Sequence, residues 1–168
     1  MRTVPKVLLI LGFVCLLASC ATTTPPKGDK DPDPGKPKMA EAMLAAVNDV
    51  RTEGTTCGGT VAPPVGKLQL NDLLTEAAQG HSDDMYAHET MSHVGSDGST
   101  PDMRIAATGY QATWWGENVA WNQRSVEEVM AAWLSSTGHC VNIMNPNFTE
   151  FGVGEAGYYW TQVFGRPL

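Results

Sequence analysis

A segment of eighteen residues, 21–38, divides this chain and limits where it can fold. It reads ATTTPPKGDKDPDPGKPK, holds five of the eleven prolines and has Ala21 as its one apolar side chain besides proline. Such a stretch cannot bury enough surface to offset the entropy of ordering it. Its four lysines face three aspartates, so it is nearly neutral. Proline-rich coil of that length reaches on the order of 25–55 Å, between the flexible and extended limits. A core must therefore come from residues 39–168, and 130 residues are enough to bury about two-thirds of their unfolded surface.

Upstream of the divide, Arg2 and Lys6 precede an uncharged apolar run from Val7 to Leu17. Eleven helical residues span only about 16 Å, whereas a bilayer core takes roughly 20 residues. The pattern is that of an export signal over residues 1–19. Leu17-Ala18-Ser19-Cys20 resembles a bacterial lipobox, in which the cysteine is diacylated on sulfur and becomes the new N-terminus. The alternative is an ordinary secretory signal with an incidental cysteine. Each buried acyl methylene contributes about 0.8 kcal/mol, so two or three chains on Cys20 hold a membrane firmly. By resemblance to Gram-negative sorting rules, Ala21 after the cysteine favours the outer membrane. The expectation is an extracytoplasmic, lipid-anchored protein at the outer membrane or cell surface, with residues 20–38 as its tether.

The domain carries five basic against fifteen acidic side chains, a net charge of −10. That excludes a nucleic-acid binder, which needs a basic stripe, and docking on anionic lipid by charge alone. Ala40, Met43, Val47 and Val50 recur at helical spacing, with Gly54 to end the helix. Asn71 is an N-cap for a second helix with Leu74, Ala77, Ala78, His81 and Met85 on one face. Pro101 opens a short third helix, with Gly109 past its end. Ser125-x-x-Glu128 is a capping box before the stripe Val126, Val129, Met130 and Trp133. Strands are expected at Glu117–Trp121, Phe151–Ala156 and Tyr159–Phe164. Helices and strands mix without a βαβ rhythm, which predicts an α+β fold.

Of four cysteines, Cys15 lies in the leader and Cys20 is committed to lipid. Cys57 and Cys140 remain, and in an exported chain they are expected to bridge. The bridge closes 83 residues, which chain entropy values at roughly 4–5 kcal/mol at most. Two buried free thiols are the alternative. His88-Glu89-x-x-x-His93 is one residue too long for the zinc-protease motif, since a spacing of five turns the second histidine about 140° off the first one's helical face. Gly152-x-Gly154-x-x-Gly157 matches a dinucleotide fingerprint, but Tyr158 to Val163 reads as strand where that motif requires a helix.

All four histidines lie in the domain. His81 shares the apolar face of the second helix and reads as a core residue. His88 falls near that helix's end, where it meets the dipole. His93 and His139 sit in small-residue segments, Ser92-His93-Val94-Gly95 and Thr137-Gly138-His139-Cys140, expected to be loops or turns. Glu117 begins a predicted strand in Gly116-Glu117-Asn118.

In order along the chain come Ser92-His93-x-Gly-x-Asp97-Gly98, Arg104 to Gly109-Tyr110, and Gly116-Glu117-Asn118-Val119-Ala120. Trp133-x-Ser135-x-x-Gly138-His139-Cys140-x-Asn142-Ile143-Met144 and Tyr159-Trp160-Thr161-Gln162-Val163-Phe164-Gly165 follow. Together they resemble the bacterial branch of the CAP superfamily, also called SCP, over residues 39–168. The resemblance implies a three-layer α–β–α sandwich with a central antiparallel sheet. It also implies a cleft where two histidines and two glutamates hold a divalent cation. His93 matches the first histidine and Glu117 the first glutamate. The second glutamate's position is Ser136 and the second histidine's is Tyr159, so His139 stands as the substitute. Glu128 is engaged by its capping box.

Two imidazoles and one carboxylate suit zinc with an open position for water. His93, Glu117 and His139 are thus the expected metal ligands, against a hydrogen-bonded polar cleft without metal. The leading functional reading is a surface-anchored binding module for a lipid, glycan or protein ligand, monomeric by default. A metal-dependent hydrolase using Glu117 or a zinc-bound water as base is the rival. A structural envelope protein with a vestigial cleft is the third. Most of the five tryptophans are expected in the core, with Trp114-Trp115 the candidate exposed pair.

Overall fold

A computed structural model describes residues 35–168. The leader, Cys20 and most of the expected tether lie outside the described residues. Helix α1 (Gly35–Glu53) begins four residues before the expected start of the domain and buries Ala40, Met43 and Val47. A hairpin, β1 (Thr55–Cys57) and β2 (Thr60–Ala62), turns at Gly58-Gly59 and was not foreseen in the sequence. Strand β3 (Gln69–Leu70) leads into α2 (Asp72–Ala87), capped as expected by Asn71, whose Oδ1 accepts from the N–H of Leu73 at 2.9 Å and of Leu74 at 3.2 Å. Helix α3 (Pro101–Ala107), strand β4 (Ala112–Trp121), helices α4 (Val126–Ser135) and α5 (Thr137–Ile143), and strands β5 (Glu150–Ala156) and β6 (Tyr159–Pro167) complete the fold. Ser125 caps α4 by accepting from Glu128 N–H, but Glu128 reaches back to Arg124 N–H, one residue before the cap.

The four-stranded sheet has the order β3-β5-β6-β4. The β5–β6 and β4–β6 pairs are antiparallel, and only the two-residue edge β3 runs parallel to β5. Alternate residues face opposite layers, as the pleat requires. Val163 packs with Leu74, Ala77 and Ala78 of α2 and Ile105 of α3. The next residue, Phe164, packs with Met43 and Val47 of α1, Trp133 of α4 and Ile143 of α5. This is the α–β–α sandwich.

Alpha2 lies unusually close to β5. A Cβ on Gly152 would land on the backbone of Leu74 and Thr75, and one on Gly154 on the backbone of Gln79. The glycines that imitated a nucleotide motif are there to admit a helix.

Two long-range ties fix the segment around α5. The Cys57–Cys140 disulfide joins it to the hairpin, as expected. Arg51 of α1 is fully buried and donates to the carbonyls of Gly66, Ile143, Asn145 and Phe148. Burial pushes this guanidinium down to about 10, still far above neutral pH. It acts as a cationic staple for four carbonyls of irregular backbone.

Candidate functional site

Strand β4 is an edge of the sheet, and its successive residues Glu117 and Asn118 point to opposite layers. On the α2–α3 side, the Glu117 side chain is only 2% exposed, and both its oxygens are engaged. Oε1 lies 2.8 Å from His93 Nδ1, and Oε2 accepts from Arg104 Nη2 at 2.7 Å. Arg104, in the last turn of α3, also donates to the His93 carbonyl at 3.1 Å and the Ser99 carbonyl at 2.9 Å. One guanidinium therefore clamps both the carboxylate and the loop that carries the imidazole.

That loop is held from below as well. His81 Nε2 donates to the Ser92 carbonyl at 2.7 Å. Asp84 accepts from Ser96 N–H and its hydroxyl, and Gly95 N–H closes on the Ser99 carbonyl. His81 is thus a buried core residue, as expected, but one that positions His93's loop. His88 caps α2 and meets the Asp84 carbonyl at 3.0 Å, the helix-end role expected of it.

On the other face, Asn118 is fully buried and donates to the His139 carbonyl at 3.2 Å and to Gln162 Oε1 at 3.1 Å. Asn142 returns a bond to Asn118 Oδ1 at 2.9 Å and another to the Glu117 carbonyl at 3.1 Å. This amide network locks α5 onto β4. His139 accordingly sits on a helix and not in the loop expected for it. Thr137 and Gly138 are weak helix formers, and burial of Cys140 and Ile143 with the disulfide overrides them.

The hydrogen bond to Glu117 raises His93 above the ordinary histidine range, against an opposing effect of burial. Burial first, then the nearby charge of His93, lowers His139. The two imidazoles are therefore electrostatic neighbours across the β4 edge.

The profile of the cysteine-rich secretory protein family, CAP, matches residues 44–164. The chain belongs to the CAP family. It is 39% identical over 99 residues to YkwD of Bacillus subtilis, a stretch covering 58% of this chain and 38% of YkwD. An extracellular SCP-domain protein of Bacillus anthracis superposes with TM-score 0.69 at 25% identity, over 80% of this chain and 44% of that one. An outer surface protein of Borrelia burgdorferi shares the fold, with TM-score 0.64 at 18% identity, over 76% of this chain and 92% of that one. The chain spans less than half the length of the two Bacillus proteins.

In this CAP domain the position of the second tetrad glutamate, Ser136, is the residue before α5 and makes no side-chain capping bond, and that of the second histidine, Tyr159, is buried against Trp121 and Met85. Ser136 and His139 line a cavity of about 250 Å³ with Met91, Trp121 and Trp133. Met91 and Trp121 are half exposed at its rim. Trp133 and Trp160 are core, while Trp114 and Trp115 are 50% and 45% exposed, the latter beside a larger groove of about 520 Å³ between α3 and β4.

Among the described residues no group of three or more ligating side chains converges. Glu117 has given its oxygens to His93 and Arg104, and the adjacent guanidinium opposes a cation there. The donors that remain for a divalent ion are the two imidazoles. A carboxylate behind Nδ1 fixes the tautomer and frees Nε2 as a ligand, so His93 and His139 would hold the ion and Glu117 would orient. Arg104 is the site residue that the sequence reading missed. Its signal was modest: it lies in a quoted family motif and is one of only five cations in a domain at −10.

Proposed function

We propose that this protein is an extracytoplasmic binding module, held to the membrane by acylated Cys20, whose cavity beside His139, at the edge strand that also carries the His93–Glu117 pair, captures a ligand with an apolar face. One observation carries the reading. Glu117 is sequestered with both oxygens held by His93 and Arg104, which favours an orienting role over that of a general base. Its role is to aim His93, whose side chain is 52% exposed and whose Nδ1 is the nitrogen bonded to Glu117. The half-exposed Met91 and Trp121 at the rim favour an apolar or aromatic ligand surface, as on a lipid or the flat face of a sugar. Among the described residues no helix is long and apolar enough to cross a membrane.

A divalent ion on His93 and His139 is the second reading, favoured by the carboxylate–imidazole arrangement. When bound, it would supply a Lewis acid for an oxygen of the ligand. Calorimetric zinc titration of the full chain and of His93→Ala decides: binding lost in the variant supports the ion site, and equal affinity removes it. Hydrolysis of peptides or cell-wall fragments that is lost in His93→Gln would replace the binding role with an enzymatic one. Mass spectrometry of the mature N-terminus tests the anchor, and an unacylated peptide starting elsewhere refutes it.

A further inference from the structure

Trp121, the last residue of β4, stacks on Tyr159, its register partner in β6, with ring centroids 5.8 Å apart and planes inclined at 28°. Tyr159 is itself buried and meets the Tyr86 ring at 6.4 Å. The chain leaves β4 through Asn122 in the left-handed region, and the Asn122 N–H donates to the Tyr158 carbonyl at 3.0 Å. The indole is thus supported on one side, yet the residue is 51% exposed. An aromatic ring that is open and already ordered loses little entropy when a ligand stacks on it.

Trp121 shares its cavity with Ser136 and His139, both part-exposed. Among the described residues no hydrogen-bond partner reaches the Ser136 hydroxyl or either ring nitrogen of His139. A hydroxyl donates and accepts, and a neutral imidazole does one at each nitrogen. Although the domain carries −10, no carboxylate, ammonium or guanidinium lines this cavity. The remaining contacts are largely apolar, Met91, Val119 and Ala132 among them. Its volume of about 250 Å³ is below the roughly 300–1,000 Å³ of pockets that engulf a drug-sized ligand, so it receives one ring and not a long acyl chain.

We propose that this cavity binds a neutral pyranose, with the apolar face of the sugar ring on Trp121 and two of its hydroxyls on Ser136 Oγ and a ring nitrogen of His139. This rests on the reading of the cavity as the ligand site and names the class of ligand. Sugar hydroxyls both donate and accept, as do the groups facing them, and the C–H face of the ring is a flat apolar surface matched to an indole. The test uses saturation-transfer NMR on the full chain in EDTA, with cellobiose, chitobiose and monomeric laurate as probes. At least one disaccharide should bind saturably, with saturation strongest on the ring protons of one face, and the tighter of the two tells a plain from an N-acetylated glycan. Trp121→Ala should weaken binding about tenfold and Trp121→Phe much less. Ser136→Ala breaks no bond within the protein, serves if the tryptophan variant is unstable, and should weaken binding about fivefold. Neither disaccharide bound, or unchanged affinity in Trp121→Ala and Ser136→Ala, overturns the proposal. Laurate bound in place of sugar overturns it while leaving the cavity as a ligand site, and no probe bound removes both.

Discussion

Arg104→Met removes the guanidinium and keeps the aliphatic stem. It deletes bonds to Glu117 Oε2, the His93 carbonyl and the Ser99 carbonyl. Glu117, 2% exposed, then keeps His93 as its only side-chain partner. Removing one member of a buried ion pair costs about 3–5 kcal/mol, because the other charge stays buried. An exposed pair costs at most about 1 kcal/mol. His93 is half exposed and can take up a proton to compensate, which places the expected loss near the lower end, about 3 kcal/mol. For a domain of this size that is a fall in Tm of roughly 10–15 °C. Arg104 also lowers the pKa of His93, so its removal should move His93 further up. Adding Glu117→Gln removes the stranded charge, and the double variant should recover part of the loss, with a coupling of about 1–2 kcal/mol. Calorimetric melting of the four proteins of the cycle measures this. A fall of less than about 3 °C with additive double-variant behaviour would show the pair to act as a surface ion pair and would refute the reasoning.

Gly152→Ala and Gly154→Ala should each cost about 3 kcal/mol or more in urea unfolding, because their Cβ atoms meet helix backbone. Gly80→Ala, with open space around it inside α2, should instead gain about 0.5–1 kcal/mol. Arg51→Met strands four carbonyls and should cost about 3–5 kcal/mol, and Arg51→Lys should recover only a minority of that, since an ammonium cannot span them. Of the three perturbed histidines, His93 should bend the stability profile in one sense and His81 and His139 in the other. The contribution of His93, raised by Glu117, is fully present below about pH 6.5 and is lost as pH rises through its higher folded value. That of His81, lowered by burial, is present above about pH 6.5 and is lost as pH falls through its depressed value. Melting of Glu117→Gln across this range should lack the His93 limb.

The long elements were legible because their signals are local and agree with tertiary packing. Asn71 caps α2 through its own side chain, and the stripe from Leu74 to Met85 is the face that packs on the sheet. The β5–β6 hairpin follows from its apolar runs around Gly157. Elements held by distant partners were not legible. Beta3 exists as a strand through two residues of pairing with β5, and α5 depends on a disulfide 83 residues long and on a buried amide network. The site divides in the same way. His93 and Glu117 were found and do meet, while His139 lies across the edge strand on the other layer. Arg104 and His81 escaped because neither residue type declares its partner. An arginine in a half-polar helix reads as surface, and a histidine on an apolar face reads as core. Only the fold shows that both serve the loop carrying His93.

The central claim is that Glu117 aims His93, leaving Nε2 to meet the ligand. Nitrogen-15 spectroscopy of the histidine rings in the full chain tests it directly. The account predicts that neutral His93 carries its proton on Nδ1, donated to Glu117, and that Glu117→Gln abolishes this preference. Neutral His93 protonated on Nε2, with a spectrum indifferent to Glu117→Gln, would contradict it.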